Sequence, residues 1–348
     1  MLAPAQLFAL PTAFADYSLR PLTIDDVETV AQLYREYDHD AGLTNYNFTA
    51  EELRQELETP DFDMATSTMG VFAPDGTCVG VADVWDNTPK PVRIFSGFAV
   101  HPTLTGQGLE EVLLAWVDMR SQETLTRAPH DAQVVIHSWT VRGYTPKTNA
   151  LEKANYTHVR NFYRMRINMS EQPPTPVLPD GLSIRTYSHA NDLQRYVEAR
   201  LDGFRDHWGF VVQPLDVAMK KTNEWYTQDP LFDESLCFLV IDEATGEVAA
   251  ASMCRIEEEA DPEVGYVMTL FTRRAYRGKG VALAMLHHTF GEFYKRGRMS
   301  VALHVDGSSL TGAVRLYEKA GMFQEIVEVT YEKVVREGKN YMTTHIEE

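Results

Sequence analysis

The chain has 348 residues, 44% hydrophobic and 24% charged, enough for two globular domains each with its own core. A formal net charge of -18 excludes general nucleic-acid binding and docking on an anionic membrane, since both reward a basic face. The three cysteines, Cys78, Cys237 and Cys254, are far apart and form no CxxC, which excludes a disulfide framework and fits free thiols in a reducing cytoplasm.

The first fifteen residues, MLAPAQLFALPTAFA, end in an Ala-x-Ala-like step. No Lys or Arg precedes their apolar part, and Pro4, Gln6 and Pro11 interrupt it. They are expected to pack on the first domain or to form a partly disordered end. No segment is long and apolar enough to span a bilayer.

A short strand ending at Arg20 comes next, followed by polar helices. Strands at 68–74 and 78–85 are joined by an Asp-Gly turn of hairpin type. A long strand at 92–100 leads into the loop TLTGQG and a helix; a strand at 132–139, a further helix and a strand at 159–169 follow. The second half repeats this order: a strand ending at Arg185, strands at 236–242 and 247–256, a long strand at 263–272, the loop RRAYRGKG, a helix, and strands at 300–307 and 326–334. Sequence matches between the halves are collinear. HPTLTGQGLEEVLLAWV at 101–117 pairs with RRAYRGKGVALAMLHHT at 273–289, and LEKANY at 151–156 pairs with YEKAGM at 317–322. Such a period is too long for a solenoid and indicates two copies of one domain. SEQPPTPVLPDG, 170–181, holds four prolines and reads as the joint. The expected domains are 1–170 and 182–348, linked by 171–181. Hairpins followed by a βαβ crossover predict an α/β domain with a mixed sheet flanked by helices.

In the second copy, an apolar strand runs into RRAYRGKG, and apolar residues at 282, 286, 290 and 293 give the following segment a helical period. Gly278 and Gly280 therefore sit at a strand-to-helix turn. Glycine admits unusual φ and leaves no Cβ in the way, so the free amides of the helix start can face an anion. Arg277 and Lys279 add formal charge. The loop is expected to hold a phosphate-bearing ligand; the alternative is a tight turn with solvated cations. Gly280 after Lys279 rules out a Walker A loop, which needs Ser or Thr there. A dinucleotide loop is met by Gly278 and Gly280 but has Leu283 at the third position, with Asp306 available to imitate the ribose-binding acid.

LFTRRAYRGKGVALAML followed by LHVDGSSLTGAVRLYEKAGM resembles the cofactor and C-terminal motifs of the GCN5-related N-acetyltransferases, and the tandem arrangement resembles the mycothiol synthase-like members. The resemblance spans both copies. It implies a splayed sheet, acetyl-CoA as cosubstrate and no metal. It implies that Leu270, Phe271 and Thr272 meet the pantetheine arm. Arg277, Gly278, Lys279, Gly280, Val281 and Ala282 would hold the diphosphate, and Arg273 or Arg274 would reach the adenosine phosphate. Tyr317 matches the family's general acid. Tyr266 stands where many relatives carry a catalytic Glu, so Glu263, at the strand start, is the substitute base, with His304 as a second candidate. Ser309 replaces a usual Asn on the cofactor. Asp206, His207 and Trp208, with Tyr266, are the candidate amine site, beside Asp202 in the same segment.

The first copy has Thr105, Glu110, Leu151 and Ile94 where the second has Arg277, Ala282, Tyr317 and Tyr266. A carboxylate at Glu110 would repel a diphosphate, so this copy reads as a degenerate domain; the rival reading is loose CoA binding through Gly106 and Gly108. The expected activity is N-acetyl transfer to a small-molecule primary amine in the cytoplasm, by a monomer or homodimer that binds no nucleic acid or membrane. A catalytically silent CoA sensor and a dinucleotide-dependent oxidoreductase are the alternatives.

Overall fold

A computed structural model describes residues 8–44, 46–59, 61–88, 90–258, 261–309 and 312–344. The chain divides into two compact units: 1–160 with 328–341, and 161–327 with 342–348.

Unit 1 begins with β1 (Ser18–Arg20), α1 (Val27–Asp40), α2 (Ala50–Leu57) and α3 (Met64–Ser67). β2 (Thr68–Phe72) and β3 (Cys78–Asp83) form the expected hairpin, with Gly76 at φ +89° in its turn. β4 (Arg93–Phe95), β5 (Phe98–Val100), α4 (Leu109–Thr124), β6 (Val134–Val141) and α5 (Thr145–Lys153) complete the repeat. β1, β2, β3 and β5 pair antiparallel, whereas β4 pairs with β6 in parallel. Residues 1–7 of the leader lie outside the described residues. Phe14 is buried and Phe8 and Leu10 pack against the unit's core.

β7 (Thr157–Asn168) leads into unit 2. There the chain continues through β8 (Leu182–Thr186), α6 (His189–Gly203), α7 (Leu215–Gln228), β9 (Phe238–Asp242), β10 (Val248–Arg255), β11 (Gly265–Thr272), α8 (Val281–Lys295), β12 (Ser300–Asp306), α9 (Ala313–Lys319) and β13 (Phe323–Arg336). The strand order in unit 2 is β7-β12-β11-β10-β9-β8, with β11 and β12 parallel and the other pairs antiparallel. A mixed sheet with helices is thus present in each unit. α8 buries Val281, Met285, Leu286, Phe290 and Phe293 along one stripe against this sheet.

The units do not coincide with 1–170 and 182–348. Residues 162–168 of β7 pair with β12 inside unit 2, while residues 328–336 of β13 pair with β6 inside unit 1. Each half of the sequence therefore gives its last strand to the other unit. The proline-rich segment at 170–181 lies within unit 2.

Candidate active site

β11 and β12 pair at only two positions, Gly265 with Val301 and Tyr266 with Ala302. Past these, β11 stays with β10 as far as Thr272, and β12 stays with β7 as far as Asp306. β11 also bulges at Met268, where its register against β10 shifts between Met253 and Cys254. The two strands part, and a cavity of about 540 Å³ opens between them. Val267, Met268, Leu270, Phe271 and Thr272 form one wall; Leu303, His304, Val305 and Asp306 form the other.

The glycine loop closes one end. Gly278 has φ +73° and Gly280, the N-cap of α8, has φ +84°, a region that costs a side-chain-bearing residue about 1–2 kcal/mol. A Cβ built on either glycine meets no atom within 4 Å. Among the described residues, no acceptor pairs with the backbone amides from Gly278 to Leu283. Five residues of this run, Gly278, Gly280, Val281, Ala282 and Leu283, line the cavity. Unpaired amides, the positive end of a helix and open space make an anion site. The Thr272 hydroxyl beside it is buried without a partner.

The cations of the loop mostly face inward to carboxylates. Arg277 donates to Asp206, to the Gly203 carbonyl at 2.9 Å and to the Thr272 carbonyl at 3.1 Å. Arg274 pairs with the other oxygen of Asp206, and Arg273 reaches Asp202 and Glu247. Asp206 is 3% exposed, and hydrogen bonds from both guanidinium groups outweigh its burial and hold its carboxyl below the usual range. Asp206 thus braces the loop and is not presented to an amine. Lys279 remains exposed, 5.6 Å from the Tyr276 ring centre.

Tyr317, on α9, lines the cavity, and burial pushes its phenol well above the ordinary value. His207 and Trp208 line it from the segment after α6, with Trp208 6.4 Å from Phe162. Burial, aided by Arg277, pushes the His207 imidazole down to about 4 against the pull of Asp306 and Asp206. Ser309 also lines the cavity. Tyr266 joins His304 across the parting strands, Oη to Nδ1, at 2.8 Å. Glu263 does not reach the site: it is exposed in the turn before β11 and outside the cavity wall. Phe162, contributed by β7, had no motif to mark it, because only the strand exchange brings it here. The two arginine partners of Asp206 lie about seventy residues away, beyond any local spacing rule.

Unit 1 has the same loop in a closed form. The Gly106 amide donates to Glu110 Oε1 at 2.8 Å, and a Cβ on Gly108 would lie 2.9 Å from Pro11 Cγ. Glu110 is 4% exposed, and its second oxygen has no partner. Ile94 pairs with Ile136 as Tyr266 pairs with Ala302. By that register and the repeat, Phe98, Trp139 and Lys147 occupy the places of Leu270, Val305 and Ala313, which all line the unit 2 cavity. In unit 1 the Lys147 ammonium sits 4.7 Å from the Phe98 ring centre and 5.4 Å from that of Trp139. Lys147 is 5% exposed, and burial brings its amine down to about 8 although Asp83 and Asp38 oppose this. Asn155, standing for Gly321, adopts the same left-handed turn at φ +63°.

Among the described residues, no cluster of His, Cys, Asp or Glu is suited to a metal, and no helix is long and apolar enough to cross a membrane. The model of the acetyltransferase (GNAT) family matches residues 198–322. A mycothiol acetyltransferase of Stackebrandtia nassauensis is 26% identical over 264 residues, covering 74% of this chain and 80% of the relative. One of Thermobispora bispora is 28% identical over 238 residues, covering 67% and 74%. The crystal structure of a GCN5-related N-acetyltransferase from Sphaerobacter thermophilus matches with TM-score 0.79 and 28% identity over 95% of this chain and 99% of that one. A tandem GNAT protein from the clavulanic acid biosynthesis pathway shares the fold, with TM-score 0.65 and 13% identity over 93% and 100%.

Proposed function

Residues 198–322 belong to the GNAT acetyltransferase family, and from this premise we propose that the chain moves an acetyl group from acetyl-CoA to a primary amine of a small molecule by direct attack. The family sets aside the dinucleotide alternative. The observation that carries the reading is the row of unpaired amides from Gly278 to Leu283, open at the mouth of the gap between β11 and β12.

The residues present fit acetyl-CoA. The amides and the start of α8 take the diphosphate. The free edge of β11, through Leu270, Phe271 and Thr272, takes the arm that carries the thioester. Arg277 acts through Asp206, Gly203 and Thr272 to keep the loop in shape, so the charge on the diphosphate is met chiefly by backbone dipoles and Lys279. Attack needs a neutral amine. The nitrogen bonds to the thioester carbon, the tetrahedral intermediate expels sulfur, and Tyr317, which burial keeps protonated, donates a hydrogen bond to the thiolate as it forms. The acceptor class is that of the relatives named mycothiol acetyltransferase, a small amine rather than a protein.

Unit 1 takes no cofactor on this reading, because Glu110 and Lys147 fill the places of diphosphate and arm. The three free cysteines, all buried, suit a reducing cytoplasm.

The test is acetyl-CoA with an amine panel of glucosamine, cysteine and a glycine amide, followed by loss of thioester absorbance and by product mass. Transfer to one of them is expected. CoA binding with no transfer to any would sink the reading in favour of a silent CoA sensor.

A further inference from the structure

We propose that His304, held in place by Tyr266, takes the proton from the substrate ammonium; this rests on the acetyl-transfer reading above. A GNAT-type attack needs a proton acceptor at the reacting end of the cavity. The diphosphate site lies after Thr272, and the six-residue run of β11 back to Tyr266 spans about 20 Å at 3.3 Å per residue. The thioester end of an arm lying along that edge therefore faces the apex where the strands part.

His304 stands at this apex, two residues past Ala302, the last β12 residue to pair with β11. Its Nδ1 is 2.8 Å from the hydroxyl of Tyr266, which is the strand partner of Ala302. The two rings, 5.8 Å apart, bridge the apex. A neutral imidazole has one donor and one acceptor nitrogen. We assign the Nδ1–H tautomer, donating to Tyr266 Oη, which makes Nε2 the basic nitrogen.

The other titratable candidates are less suited. Glu263 lies outside it. His207 is half-buried beside Arg277 and resists protonation. Asp306 accepts the Ser308 amide at 3.0 Å, at the far tip of β12. Tyr317 is the donor. Lys319 also lines the wall and carries positive charge. Behind His304 on β7, its register partner Arg164 is buried, and its charge is met by Glu258 and Glu325.

The step balances. Nε2 takes one proton from the ammonium. The nitrogen lone pair forms the C–N bond to give the tetrahedral intermediate, whose C–S bond then breaks, and the second nitrogen proton ends on sulfur. His304 then returns its proton to solvent.

The experiment compares wild type, His304→Gln and Tyr266→Phe with acetyl-CoA and whichever panel amine the wild type acetylates, from about pH 6 to pH 9. His304→Gln should lower kcat/KM about 100-fold near neutrality, with the deficit narrowing as pH rises and the amine deprotonates unaided. CoA affinity by calorimetry should stay within about twofold, since the residue does not serve the diphosphate. Tyr266→Phe should cost about 10-fold in kcat and move the acidic limb of the kcat/KM profile, which a merely structural residue would not do. A wild-type profile in His304→Gln overturns the proposal, as does loss of CoA binding in that variant. If His304→Gln does not fold, an unmoved acidic limb in Tyr266→Phe overturns it. A wild type that acetylates no amine defeats the transfer reading itself, a result distinct from an active enzyme indifferent to His304.

Discussion

Asp206→Asn keeps the shape of the side chain and removes its charge, and so tests whether the loop arginines brace the cofactor site or bind the cofactor. The Arg274 side chain is 53% exposed, so its half of the pair behaves as a surface ion pair worth under about 1 kcal/mol. The Arg277 side chain is 25% exposed and keeps its bonds to the Gly203 and Thr272 carbonyls; losing one charge-assisted bond there costs about 1.5–3 kcal/mol. The sum is about 1.5–4 kcal/mol, which for a unit of this size lowers Tm by about 3–16 °C. With its brace gone, the loop must be reordered on binding, and CoA affinity should fall about 10-fold. Because the folded-state pKa of Asp206 is lowered, its contribution is complete above the unfolded carboxylate range and vanishes as pH falls through the folded value. The variant should therefore lose its deficit against wild type in strongly acid solution. The assays are thermal melts across pH and calorimetry with CoA. Tighter CoA binding in Asp206→Asn would refute the reasoning, since it would mean that the freed guanidinium groups, and not the backbone amides, are the diphosphate ligands.

Four further outcomes are expected. Tyr317→Phe should lower kcat about 100-fold or more with CoA affinity within about twofold, read by steady-state kinetics and calorimetry. Gly280→Ala meets no atom in the free protein, so its stability should fall only by the backbone cost of about 1–2 kcal/mol, while CoA affinity should drop by at least 10-fold because the Cβ enters the anion site. Calorimetry should find one CoA per wild-type chain, and Glu110→Ala with Lys147→Ala should admit a second, weaker one. Lys147→Met should raise stability near neutrality, and wild-type stability should climb between about pH 8 and pH 10.5, where the unfolded chain holds a proton that the folded amine has released.

The glycine loops, the Asp-Gly hairpin and the Tyr317 helix were readable because each is a local device: φ at Gly76, Gly278 and Gly280 is positive where the chain must turn. The strand exchange was not readable. β7 and β13 are long strands with matching apolar patterns, so either can complete either sheet edge, and sequence order favours the wrong one. Asp206 was misjudged for a related reason. An acidic residue beside Trp208 suits a cationic amine, but its charge is already taken by two arginines from a distant loop. Glu263 was misplaced because its position in the turn before β11 is set by the backbone path and not by its distance along the strand from the loop.

On the acetyl-transfer reading, the contrast between the two glycine loops locates what would separate an open cofactor site from a closed one. Both loops retain paired left-handed glycines, so backbone geometry alone does not decide. In unit 2 the position after the helix start is Ala282 and the amides stay unpaired; in unit 1 it is Glu110, whose carboxylate accepts from the Gly106 amide. An internal anion at that place satisfies the donors a diphosphate needs, with no entropy of association to overcome. Lys147 acts likewise where the arm would lie, laying an ammonium against Phe98 and Trp139. On the same reading, the two changes together put side chains where the two ends of the ligand would lie. Retention of the fold without its site follows, because the glycines, the hairpins and the buried faces that build the sheet are not the groups that were exchanged.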